Sequence, residues 1–148
     1  MAGVSLKATK SGITTGTSLI TLIQVVGASN HGVLVKEWSI SFQGTSNTAS
    51  PILVKVMRQT SAGTMTSLTP VKDPAGTTET LQTTFQHTAT AEPTASDVLF
   101  EEYVHPQTGY TWQAPFGQSV KVDGGTRLGI TCTAAASTSA TVRMVCEE

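Results

Sequence analysis

The sequence predicts an all-β domain, an antiparallel β-sandwich of jelly-roll or Greek-key type with an irregular N-terminal arm. Three observations carry that expectation. Apolar and polar residues alternate with period 2 in one segment after another, whereas no stretch shows the 3.6-residue period of a long helix. The 148 residues include 26 Thr and 14 Ser but only 13% charged residues, so the solvent face is built mainly from hydroxyls. Thr suits the outer face of a strand, because it is β-branched and polar at once. Eight to ten short segments are separated by Gly, Pro, Asp and Ser turns, the spacing of a sandwich.

Residues 1–16 are small, polar and interrupted by Gly, and read as an arm. Residues 17–148 form a single domain. From Thr17 to Val26, Leu19, Thr21, Ile23 and Val25 alternate with Ile20, Leu22, Gln24 and Val26, the pattern of a strand covered on both sides. In Gly32 to Met57, Leu34, Trp38, Ile40 and Phe42 share one parity, which Lys36 alone breaks. Ile52, Val54 and Val56 follow after a polar turn. The two runs predict a long hairpin. Met65 to Thr69 is a short strand stopped by Pro70. Residues 70–97 form a long excursion with three prolines and a strand near Phe85 to Ala91, and connections this long are usually functional or interface-forming. Further strands are expected at Val98 to Val104, Gly109 to Gln113, Ser119 to Val122, Arg127 to Thr133 and Ala140 to Cys146. The long connection favours a Greek-key or jelly-roll crossover over a meander.

A chain of this length buries roughly 70% of its unfolded surface and needs no staples. Nine basic residues are spread along it and the formal net charge is −1, without the concentrated basic footprint of a nucleic-acid binder. The N-terminus has no apolar signal-peptide core, and no window approaches the ~18 apolar residues that span a bilayer. The expectation is a soluble protein made in the cytoplasm, without direct nucleic-acid or membrane contact. If Arg127 to Thr133 and Ala140 to Cys146 pair as a hairpin, Cys132 and Cys146 stand four residues out of step, roughly 13 Å apart along the strand. A disulfide requires Cα atoms within about 7 Å. Two buried free thiols follow.

The usual catalytic signatures are missing. Ser5, Ser29, Ser46 and Ser119 each follow a Gly closely, yet none sits in the Gly-x-Ser-x-Gly elbow of a hydrolase. His31, His87 and His105 are at least 18 positions apart, too far for a local metal motif. Asp73, Asp97 and Asp123 each neighbour a turn residue, and Glu101 and Glu102 point to opposite faces of a strand. No enzyme, metal or cofactor is expected.

What remains is Phe100 to Phe116, which holds five of the eight aromatics: Phe100, Tyr103, Tyr110, Trp112 and Phe116. These rings can plug one end of the core, anchor a neighbouring subunit, or form a coplanar platform for a sugar.

The stretches Lys36-Glu-Trp-Ser-Ile-Ser-Phe-Gln-Gly-Thr, Val56-Met-Arg-Gln-Thr-Ser-Ala-Gly-Thr, Leu68-Thr-Pro-Val-Lys-Asp-Pro-Ala, Thr90-Ala-Glu-Pro-Thr, Val104-His-Pro-Gln-Thr-Gly and Gly124-Gly-Thr-Arg-Leu-Gly-Ile carry a resemblance over residues 33–148. The chain resembles the jelly-roll decoration, or cement, proteins of tailed-bacteriophage capsids. That resemblance implies a non-enzymatic virion structural protein on the outer capsid surface, a homotrimer that clamps major capsid protein subunits. The expected contact residues are Lys7 and Lys10 of the arm, Phe85 of the excursion, and His105, Tyr110 and Trp112. A carbohydrate-binding sandwich or a fibre- or knob-like trimeric virion protein is the alternative.

Overall fold

The computed structural model describes residues 3–43, 50–73 and 75–148. The start of the expected arm, the polar turn at 44–49 and Pro74 of the excursion lie outside the described residues. The described residues form twelve strands: β1 (Ser5–Thr14), β2 (Ile20–Val26), β3 (Val33–Gln43), β4 (Ile52–Gln59), β5 (Thr64–Leu68), β6 (Val71–Asp73), β7 (Thr84–Ala91), β8 (Ala95–Val104), β9 (Tyr110–Gln113), β10 (Val120–Val122), β11 (Arg127–Thr133) and β12 (Ser139–Glu147).

They form two antiparallel sheets. One runs β10-β3-β12-β1-β6, with β9 also on β3, and the other runs β5-β7-β2-β11-β4-β8. Leaving aside β5 to β7, the chain changes sheet at every step except from β4 to β8, which are neighbours, and from β9 to β10, which both pair with β3. This is jelly-roll order, as the long connection suggested. β9 and β10 take one position, pairing with Glu37–Ile40 and Val33–Val35 of β3 respectively. The excursion contains strands: β6 widens one sheet past β1, and β7, together with the preceding β5, widens the other past β2.

Three sequence expectations are overturned. Residues 5–14 are not an arm. β1 lies between β12 and β6, with Leu6, Ala8 and Ile13 buried. Its periodicity is masked because the register shifts between Lys10 and Ile13, where Gly12 has φ of 70°. Such a bulge lets one face stay inward across a break in the alternation. β3 and β4 do not make a hairpin but belong to opposite sheets, and so do β11 and β12. Period 2 specifies which side chains face the core; it does not specify the partner strand. Both cysteines are nonetheless free and buried, and burial pushes each thiol up to about 12, with the Glu92 charge adding to the effect at Cys132.

The pattern break at Lys36 is also a bulge. Glu37 pairs with Val145 and Val35 with Cys146, leaving Lys36 without a partner on β12. Val33 and Val35 therefore point inward together with Trp38 and Ile40, and Leu34 does not. The Lys36 carbonyl accepts from Ala114 N at 2.8 Å and its ammonium meets Glu147 at 3.1 Å, so the bulged residue keeps partners for its carbonyl and side chain.

β2 is buried on both faces, as its pattern predicts. Ile23 and Val25 face the core. Outside, Gln24 Nε2 donates to Gln59 Oε1 (2.7 Å), Gln59 Nε2 to Thr21 Oγ1 (3.0 Å), and Thr21 Oγ1 to Glu92 Oε2 (2.6 Å). Gly129 makes room for this chain of amides, since a Cβ there would sit 2.4 Å from Gln59 Oε1. Residues around 61 and 93 close over it, with Thr60 N on Thr94 O and Thr94 N on Ser61 Oγ, each 2.8 Å. Elsewhere Glu148 accepts from Gln82 N and Thr83 N and lies 3.6 Å from His31, tying the inserted strands to the jelly roll. Burial alone would raise the Glu148 carboxyl, but hydrogen bonds from Thr83 and Gln82 and the His31 charge hold it below the usual range.

Deleting residues 2–12 removes most of a strand from inside a sheet, taking Leu6 and Ala8 out of the core and unpairing one side of β12. The variant is expected to lose its cooperative thermal transition and its dispersed amide NMR spectrum. A variant that keeps both would mean that β1 is dispensable.

Candidate interaction surface

The most distinctive surface lies along one lateral edge, where β8 ends one sheet and β9 and β10 end the other. The parity of β8 divides its aromatics. Phe100 pairs with Val56 and faces inward, whereas Tyr103 pairs with Leu53 and faces out. Inside the edge, Trp38 approaches Tyr110 at 5.3 Å and Phe100 at 6.4 Å between ring centroids, and Phe100 approaches Trp112 at 4.9 Å. These tilted contacts, favourable for aromatic pairs, join the two sheets where no strand closes them. Trp38 is fully buried; Phe100, Tyr110 and Trp112 are half-buried. Interplanar angles of 58°, 39° and 52° give no coplanar platform.

Outside the edge, Tyr103 is 73% exposed and Phe116 stands wholly in solvent, with Val98 and Leu99 also exposed on β8. Phe116 sits on the loop between β9 and β10, where Gln118 N donates to Pro115 O and Gly117 has φ of 76°. β8 also carries the exposed Asp97 and Glu102, and its Glu101 pairs with Lys55 at 2.9 Å. Exposed aromatic and aliphatic groups rimmed by charge mark an interaction site.

The β8 backbone edge is guarded. The pairing with β4 slips twice, between Val56 and Met57 and again before Gln59, and Glu102, on the inward parity, stays exposed. Bulges and inward-pointing charges discourage addition of another strand. The edge thus presents side chains more than free backbone.

No family model, curated protein or solved structure matches this chain. The site therefore rests on its own geometry.

Of the six expected contact residues, Tyr110 and Trp112 lie together on this edge, chiefly as packing. His105 starts the adjoining turn, where its carbonyl accepts from Thr108 N and Gly109 N at 3.1 Å and its Nδ1 from Gln107 N at 3.2 Å. The others lie elsewhere. Phe85 is a core residue, 2% exposed, paired with Val25 and Leu68. Lys7 bonds Asp73 of β6 at 2.7 Å. Lys10 stands half-buried near His87, whose pKa is lowered by burial and then by the Lys10 charge. Tyr103 and Phe116 were identifiable in advance: position 103 has the parity opposite to Phe100, and Pro115-Phe-Gly is a turn. Among the described residues no group of three or more His, Cys, Asp or Glu comes together.

The edge separates packed rings from exposed ones. Trp112→Ala is expected to lower unfolding free energy by about 2 to 3 kcal/mol, less than a fully buried Trp because the ring is half-exposed. Tyr103→Ser and Phe116→Ser should each stay within about 0.5 kcal/mol of wild type. Urea unfolding followed by Trp fluorescence measures all three, and equal losses would contradict the division.

Proposed function

We propose that this chain is a non-enzymatic virion structural protein that docks on the outer surface of a phage capsid, as a homotrimer, and stabilises the shell through contacts with the major capsid protein. The observation that carries the reading is the lateral edge, where Tyr103, Phe116, Val98 and Leu99 stand exposed over a rigid aromatic seam. A rigid framework beneath exposed anchors limits the entropy lost on docking, and exposed Tyr and Phe supply the large contact area typical of interface hot spots. The jelly-roll order agrees with the resemblance of residues 33–148 to capsid decoration proteins, and the thiols, held near 12 by burial, are suited to packing and not to nucleophilic chemistry. The contact moves from the N-terminal segment and Phe85, both committed to the fold, to the edge formed by β8 and the β9–β10 loop.

Light scattering after size exclusion, followed by co-sedimentation with expanded, empty heads of the phage or prophage that encodes the chain, tests this. The wild type should elute as a trimer and pellet with heads. A Tyr103→Asp/Phe116→Asp double variant should remain folded and bind at least tenfold more weakly. A monomer that ignores heads, or a double variant that pellets like wild type, would sink the reading.

A further inference from the structure

The nine basic residues are mostly neutralised within the fold. Lys7, Lys36, Lys55, Lys121 and Arg143 each meet a carboxylate, and Lys72 donates to the carbonyls of Thr77 and Glu79. Of the three arginines, Arg58 and Arg127 make no ion pair among the described residues. Both line the same groove, an open cavity of about 510 Å³ between the end of β4, the start of β8 and the turn from β10 to β11. Both are half-buried. Arg58 is anchored, its Nη1 donating to Lys121 O at 3.2 Å across the gap between the sheets. The one acid in the wall, Asp123, is offset by Lys121 at 3.1 Å. The groove therefore carries uncompensated positive charge on planar guanidinium groups, the fork that binds carboxylate or phosphate through two parallel hydrogen bonds.

Hydroxyls line the rest. Thr60, Ser96 and Thr126 border the groove, and each directs its proton to a carbonyl: Thr60 to Thr94 O (3.3 Å), Ser96 to Arg58 O (3.4 Å) and Thr126 to Asp123 O (2.8 Å). With their protons committed, these oxygens face a ligand as acceptors. The wall thus complements an oxyanion whose neighbouring groups are hydroxyl donors.

We propose that this groove binds an acidic sugar unit, a carboxylate or phosphate on a polyhydroxylated ring, with Arg58 and Arg127 on the anion and Thr60, Ser96 and Thr126 accepting from ring hydroxyls. The site is separate from the exposed aromatic edge and does not depend on the capsid role.

Amide NMR titrations of the full chain with glucuronate, glucose 6-phosphate, glucose and inorganic phosphate test it. At least one acidic sugar should shift residues 58–60, 96 and 123–127 saturably, with Kd of about 1 mM or tighter, and at least tenfold tighter than glucose or phosphate alone. Arg127→Gln should weaken binding tenfold or more at an unchanged thermal midpoint, and Arg127→Lys, which keeps charge but loses the fork, should fall between. Absence of saturable shifts with both acidic sugars, equal affinity for glucose or for inorganic phosphate, or binding that survives Arg127→Gln would overturn the proposal.

Discussion

Four rings hold the open side of this sandwich. Trp38 from the first sheet meets Phe100 from the second, and Phe100 in turn meets Trp112, with Tyr110 against Trp38. A jelly roll has free lateral edges, and wherever sheets part water enters the core unless large side chains fill the gap. The seam depends on the Lys36 bulge, because without that extra residue Trp38 and Val35 would point to opposite faces. It also fixes the inward parity of β8 at Phe100, which turns Tyr103 to solvent. One local irregularity thus places both the packing and the exposed anchors.

The opposite side is secured by different means. There the inserted strands β5 to β7 widen both sheets, and the outer face of β2 is roofed over a directed line of hydrogen bonds from Gln24 through Gln59 and Thr21 to Glu92. Buried amides in such a line polarise one another and tolerate no missing member. The Lys7–Asp73 pair adds a surface tie between β1 and β6 whose contribution at such exposure is small. This flank commits its polar groups to the fold, whereas the aromatic edge and the arginine groove leave theirs exposed.

The strand segments were legible because period-2 alternation reports directly on burial: β2, β3, β4, β7, β11 and β12 all lie within a few residues of their expected places. Partners were not legible. The inward sets of β3 and β4 satisfy a hairpin and an arch between sheets equally well, and the five residues between β11 and β12 permit either. β1 escaped notice because the Ser11–Gly12 bulge resets its phase and Lys10 occupies an inward-facing parity. At the candidate surface, the aromatic concentration at 100–116 was visible, but its division into buried seam and exposed anchors required the parity of each ring. The arginine groove left no mark in the sequence, since Arg58 and Arg127 border one cavity only once β4 and β11 pair, with Arg58 opposite Leu128 and Arg127 opposite Gln59.

On the proposed reading the β8 edge, and not the N-terminal segment, is the contact surface. Hydrogen–deuterium exchange of the free and head-bound protein tests it most directly, because the exposed edge amides exchange readily in the free chain. Binding is expected to slow exchange in residues 95–104 and 114–119 and to leave residues 5–14, already paired inside a sheet, unchanged. New protection confined to residues 5–14 or to β5 to β7, with β8 unaffected, would contradict it.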